Sequence, residues 1–266
     1  MGYIISMNLG YACINTELNS RKGDDRITTN RSMIKRTFQE KGLEYTSDLV
    51  LQNVADLYSI IEWNEQNNIK FFRLSSEIFP WASEYYQDWD NFPNIDKITN
   101  ILRDCGDLAT KYGHRLTSHP GPFNVLVSPN ENVVQNTITD LTIHADVFDM
   151  MGLSRTPYNK LNIHCNGVYG DKQSAMDRFC KNFEQLPESV QTRLTVENDD
   201  KASMYSVKDL YEGIHKRIGI PIVFDYHHFK FNTGGQTEQE ALELAISTWG
   251  DIKPVVHYSE SKAEHQ

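Results

Sequence analysis

Seven short apolar runs, each ending in a polar residue and each separated from the next by a helical pattern, constrain this chain more than any other feature. They read "YIISMNLGYA", "KFFRLSSE", "RLTSHPG", "KLNIHCN", "RLTVEND", "PIVFDYHH" and "KPVVHYSE". Each is rich in β-branched or aromatic residues and suits a strand. Between them apolar residues recur at helical spacing. Val50, Val54, Leu57 and Ile61 share a face, with Ser47 or Asp48 expected as the cap. Ile98, Leu102, Cys105, Leu108 and Tyr112 repeat the pattern up to a stop at Gly113. Further helices are expected around Leu141, Ala145 and Phe148, around Met176, Phe179 and Phe183, around Val207, Leu210 and Ile214, and around Ala241, Leu244 and Ala245.

Such alternation predicts parallel strands joined by right-handed crossovers. Seven units in 266 residues suit an α/β chain of the TIM (β/α)8-barrel type, read as one domain over 1–266. No GxGxxG loop follows the first strand, which disfavours a doubly wound dinucleotide fold. An eighth strand is not legible, because the ending "SESKAEHQ" is polar and patternless. The expectation is either an open barrel or a sequence cut short at its C-terminus.

The 39% of apolar residues can bury one large core. No apolar stretch approaches the ~18 residues of a membrane span. No basic segment followed by an apolar one marks a signal peptide, so an intracellular protein of cytoplasm or nucleus is expected. The start "MGYIIS" fits a myristoylation pattern, but Ile4 and Ile5 read as strand. Cys13, Cys105, Cys165 and Cys180 form no paired motif and read as free thiols. The net charge of −10 argues against unspecific coating of nucleic acid. It does not exclude a nuclease whose carboxylates are neutralised by cations.

In parallel barrels the chemistry gathers where strands end. Those ends carry Asn15, Glu77, His119, His164, Glu197, then Asp225 with His227 and His228, then His257 and Glu260. A single histidine there is most simply a polar cap on the core. A series of ligand-type residues is different, because crowded carboxylates repel one another without cations. The residues therefore predict a site for two or three divalent ions of the Mn, Zn or Fe type. Such a site can cleave a phosphodiester or move a proton or hydride on a sugar. Spacing does not separate these outcomes.

The segments "LGYACIN", "FRLSSEIFPWAS", "RLTSHPG", "HCNGVYGDK", "LTVENDD", "PIVFDYHH" and "TWGDIKPVVHYS" resemble the ultraviolet-damage endonuclease family. The resemblance runs from about residue 7 to 260. It implies a barrel related to that of AP endonuclease IV, a cluster of up to three metals with manganese as the usual ion, and a monomer. It also implies nicking of damaged double-stranded DNA immediately 5′ to pyrimidine dimers and 6-4 photoproducts. By position, His119, His164 and Glu197 would hold one metal. Glu197 would bridge to a second held by Asp225 and His257, and His228 would serve a third. Glu197, His119 and Asp225 thus form the implied catalytic core. His227, expected on an extended strand, would face away from the metals. Tyr11 and Asn15 match positions that contact an extruded lesion.

Four departures stand out. His119-Pro120-Gly121-Pro122-Phe123 replaces a pattern whose last two positions wedge into the gap left by flipped nucleotides. Phe123 can still stack, whereas Pro122 offers no side-chain amide. Glu77 stands where some members have histidine, and a carboxylate can still ligate. Val255 stands where a relative can carry lysine. The family's last histidine ligand and final-strand glutamate are missing from the chain as given, so firm binding is expected only at His119, His164 and Glu197, weak or no binding at His228, and near-inactivity as a nuclease unless the natural protein continues beyond Gln266. Two alternatives remain: a metal-dependent sugar isomerase or epimerase on the same barrel, and a relative that binds damaged DNA without cutting. The basic residues Arg21, Lys22, Arg26, Arg31, Lys35 and Arg36 suit either phosphate contacts or a solvated loop. The aromatic stretch "WASEYYQDWDNF" suits either base stacking or packing on the barrel rim. Gly234 and Gly235 read as a mobile loop.

Overall fold

The computed structural model describes residues 8–259, so the strand residues expected at Ile4 and Ile5, the start "MGYIIS" and Glu260 lie outside the described residues. Within them the chain forms two compact units, one running to His119 and including Asp146–Ser154, the other comprising Pro120–Ala145 and the residues from Arg155 onward.

The first unit carries β1 (Gly10–Ala12), β2 (Phe71–Leu74) and β3 (Arg115–Ser118), each parallel to the next. Its helices are α1 (Thr16–Asn19), α2 (Lys35–Gln66) and α3 (Ile95–Tyr112). Helix α4 (Glu131–Met150) returns the chain to it. The stripe Val50, Val54, Leu57 and Ile61 is fully buried, as its spacing predicted, at about 1.5–3 kcal/mol per side chain. The expected cap at Ser47 or Asp48 is not found. Helix α2 starts earlier, breaks at Gly42 (φ 69°, ψ −164°) and continues through both residues. Ser47 is instead buried inside the helix and donates its hydroxyl to the Pro93 carbonyl. Helix α3 stops where its glycine predicted: Gly113 is left-handed (φ 68°), and His114 N–H closes onto the Ala109 carbonyl at 2.8 Å. Gly106 on α3 admits no side chain, because a Cβ there would lie 1.7 Å from the Met151 carbonyl oxygen.

Much of the aromatic stretch packs on itself. Tyr85 and Phe92 are buried and stacked with centroids 4.3 Å apart, and Trp81 donates its indole N–H to the Met33 carbonyl. The basic loop is partly absorbed by structure as well. Arg31 pairs with Asp56 at 2.7 Å and donates to the Thr28 and Arg26 carbonyls.

The second unit carries β4 (Leu161–Ile163), β5 (Leu194–Glu197), β6 (Ile222–Asp225) and β7 (Val256–His257), again parallel in order. Its remaining helices are α5 (Lys172–Phe183), α6 (Glu188–Gln191), α7 (Val207–Leu210), α8 (Lys216–Ile218), α9 (Tyr226–Phe231) and α10 (Glu238–Ser247). Strands β4, β5 and β6 are buried on both faces, as parallel strands under helices must be. The described residues thus contain seven strands, each within one of the seven runs. All four cysteines are free thiols, three of them buried. No helix among the described residues is long and apolar enough to cross a membrane.

Candidate metal centre

Register explains why the second unit gathers polar groups. Asn162 pairs with Thr195 in the β4–β5 ladder, and Asp225 pairs with His257 in the β6–β7 ladder. Side chains two apart share a face. Asn162 and His164 therefore line up with Thr195, Glu197 and Asp199, and then with Asp225 and His257. Leu161 and Ile163, on the opposite face of β4, are buried as well.

Glu197 is the centre of this group and is 2% exposed. Its Oε2 accepts from Asn162 Nδ2 and lies 2.9 Å from His257 Nδ1. Its Oε1 lies 3.6 Å from His228 Nδ1 and 3.9 Å from His164 Nε2. Glu197, Asp225 and His228 each offer a ligand atom within 4.8 Å of the others. His164 and His228 are held in matching ways. Asp199 Oδ1 lies 3.1 Å from His164 Nδ1, and the Asn198 carbonyl oxygen lies 2.8 Å from His228 Nδ1. Both partners can only accept, so each Nδ1 carries the proton in these bonds; His164 then turns Nε2 toward Glu197, whereas His228 faces Glu197 and Asp225 with Nδ1, at 3.6 and 4.0 Å, and would ligate there only on giving up Asn198. His257 differs, because Lys160 Nζ lies 3.3 Å from its Nε2 while Nδ1 faces Glu197.

Asp225 does two jobs. Its side chain caps α9 by accepting the His228 N–H at 2.8 Å, which turns "DYHH" from strand into helix. The extended strand expected through His227 is therefore wrong: both histidines are helical, and a carboxylate one residue past an apolar run acted as an N-cap. His227 packs its ring against Phe231 at 5.2 Å. Asn198 clasps the Asp225 backbone on both sides, accepting its N–H at 2.8 Å and donating to its carbonyl at 3.1 Å. Burial raises the Asp225 pKa above its ordinary value; the His228 N–H opposes this and the charge of Glu197 adds to it. Burial alone would lower His164, but its bond to Asp199 and the charges of Glu197, Asp199 and Asp225 outweigh that and raise it.

The other sequence-predicted residues fall as follows. His119 is half-buried directly after β3, at the end of the first unit. Glu77 is exposed beyond β2, its backbone N–H donating to Ser75 Oγ. Tyr11 is half-buried on β1 and donates its hydroxyl to Asn64 Oδ1 at 2.7 Å. Asn15 is 5% exposed, caps α1 through Oδ1 and donates to the Tyr11 oxygen at 2.9 Å. Pro122 and Phe123 are exposed in the loop after β3, Phe123 at 66%. Sequence reasoning missed Asn162, Asn198 and Asp199. The signal was present for two of them: period-two spacing from His164 and Glu197 puts Asn162 and Asp199 on the ligand face.

A model of the UV-endonuclease UvdE family matches residues 7–266. The chain belongs to this family. The UV-damage endonuclease of Schizosaccharomyces pombe is 38% identical over 264 residues, covering 95% of this chain and 42% of that protein. The chain thus spans about two fifths of that relative's length. Among solved structures, SacUVDE is 32% identical with a TM-score of 0.85, over 98% of this chain and 83% of that one. The D-psicose 3-epimerase of Clostridium cellulolyticum H10 superposes with a TM-score of 0.51 at 14% identity, over 77% and 68% of the chains. That second likeness shows the fold alone. Together they establish the TIM-barrel class expected from the alternating strands and helices.

Proposed function

We propose that this UvdE-family chain is a single catalytic domain of a metal-dependent DNA repair endonuclease. It nicks duplex DNA immediately 5′ to cyclobutane pyrimidine dimers and 6-4 photoproducts. The observation that carries the metal requirement is the grouping of Glu197, Asp225 and His228 within 4.8 Å, beside His164. Two buried carboxylates meet two imidazoles, His164 through Nε2 and His228 through Nδ1. This donor set fits hard or borderline divalent ions and contains no thiolate, which favours Mn2+ over a structural zinc.

Glu197, Asp225, His228 and His164 would hold the metals. The family resemblance adds His119, His257 and Glu77, up to three ions in all. Ligation by His257 requires it to give up either its Glu197 or its Lys160 contact. Bound divalent ions supply positive charge that offsets the phosphodiester and favours attack by water. The protein's own part is to fix the ligands. Asp199 sets the His164 tautomer, Asn198 anchors the Asp225 backbone, and burial keeps the carboxylates from competing solvent. Tyr11 and Asn15 would read the extruded lesion, and Phe123, with Pro122, would fill the gap in the duplex.

The test is a nicking assay on irradiated and unirradiated duplex, with Mn2+ and then with EDTA. Nicking confined to irradiated DNA and abolished by EDTA is the expected result. Binding without nicking under Mn2+ would make the chain a damage-binding relative. Neither binding nor nicking would sink the reading and move weight to sugar chemistry.

A further inference from the structure

We propose that Tyr169 is a second base-stacking residue beside Phe123, taking the face of an unpaired base next to the lesion; this rests on the reading of damaged duplex DNA as the substrate. Tyr169 lies on the loop between β4 and α5, on the side of the strand ends where a barrel keeps its chemistry. Its backbone is left-handed, with φ at 49°. That conformation is costly for a bulky side chain, and such strain persists at functional sites when the surroundings hold it. Three hydrogen bonds hold it here. Tyr205, fully buried, donates its hydroxyl to the Gly167 carbonyl at 2.7 Å. Asp171 N–H closes onto the Val168 carbonyl at 3.1 Å. Asn166 Nδ2 donates to the Asn124 carbonyl at 3.3 Å, which fastens this loop to the one that carries Phe123.

The two fastened loops are built alike. A Cβ on Gly121 would run into the Phe123 ring, and one on Gly167 would lie 2.8 Å from the Tyr169 ring. In each loop an aromatic ring covers the glycine two residues before it and leaves much of its surface to solvent. Phe123 is 66% exposed and Tyr169 51%. Core packing therefore does not explain why a strained position carries a large ring. Hydrogen bonding does not explain it either, because the Tyr169 hydroxyl has no partner among the described residues. The ring has a cation beside it instead: the Arg178 guanidinium carbon lies 5.7 Å from its centroid. Arg178 is fixed in turn, donating Nε to the Val127 carbonyl at 2.6 Å. A half-open ring on a braced loop, next to a positive charge, suits a nucleobase with its phosphate, since every base offers a π-face.

Gel-shift affinities of the parent, Tyr169→Ala and Tyr169→Phe chains for a photodimer duplex and for the intact duplex test this. Tyr169→Ala should bind the photodimer duplex at least about fivefold more weakly, the lower end for one aromatic–base stack. Its affinity for the intact duplex should match the parent's. Tyr169→Phe should bind both as the parent does, because stacking needs the ring and not the hydroxyl. Parent-like photodimer binding by Tyr169→Ala overturns the proposal. So does an equal loss on both duplexes, or a Tyr169→Phe chain as weak as Tyr169→Ala. Thermal melting separates stacking from packing: Tyr169→Ala should melt within about 4 °C of the parent, and a larger fall overturns the proposal. A parent chain that binds both duplexes equally would count against the substrate reading. Single-stranded DNA, whose bases are already open, then decides the role of Tyr169: weaker binding by Tyr169→Ala than by the parent keeps it as a stacking residue, and equal binding overturns it.

Discussion

His164 donates its Nδ1 proton to Asp199 Oδ1 at 3.1 Å, which leaves Nε2 as an acceptor 3.9 Å from Glu197 Oε1. The pairing puts an acidic residue two positions after Glu197 in charge of a histidine on the neighbouring strand. Replacing Asp199 with Asn removes the charge and lets the amide turn a donor toward His164. Mn2+ affinity should fall about 10- to 100-fold, as for other outer-layer partners of metal-bound histidine. Calorimetry on metal-free protein measures it, and parent-like affinity would leave Asp199 as a packing residue.

Glu197→Gln should abolish nicking while leaving the fold intact. Glutamine keeps the shape and one acceptor but loses the charge that cations require. Circular dichroism and metal counting by mass spectrometry separate the two effects. Full activity at normal metal content would remove Glu197 from the centre of the site.

The metal-free chain should lose stability as pH rises. Both His164 and Asp225 hold protons more tightly folded than unfolded. Where the folded state binds more protons, unfolding free energy falls with increasing pH. For Asp225 the fall begins at its ordinary value of 3.8; for His164 the contribution is full below 6.5 and is lost as pH passes its raised folded value. The melting temperature without metal should therefore drop as pH rises from 6.5 through the raised folded value of His164, and His164→Gln should flatten that slope. A melting temperature that rises over this interval contradicts the assignment.

Phe123→Ala should leave the melting temperature unchanged, because the ring is two-thirds exposed. Binding to a photodimer duplex should weaken by about 1–3 kcal/mol, the scale of one stacking aromatic. Equal affinity for damaged and intact duplex in the parent would remove the premise.

Tyr11→Ala should weaken photodimer binding on the same ~1–3 kcal/mol scale. It should also cost stability, because the Tyr11 hydroxyl is bonded to both Asn64 and Asn15. Tyr11→Phe separates the two: it keeps the ring and loses only the hydrogen bonds, worth about 1 kcal/mol each. If Tyr11→Ala discriminates irradiated from intact DNA as well as the parent does, Tyr11 serves packing alone.

The sequence by itself determined the seven strand positions and the parallel class. These are local properties: apolar period, β-branching and the polar stop at a strand end need no partner to be read. Gly113 as a helix stop was legible for the same reason, since only its own φ is at stake. Tertiary structure decided the rest. It moved Ser47 from an expected cap into a buried helix by giving its hydroxyl the Pro93 carbonyl. It also set Asp199 and Asn198 against the Nδ1 atoms of His164 and His228, and Asn162 against Glu197. Those choices depend on which strand lies beside which and in what register, and a hydrogen bond between neighbouring strands leaves no periodic trace along either one.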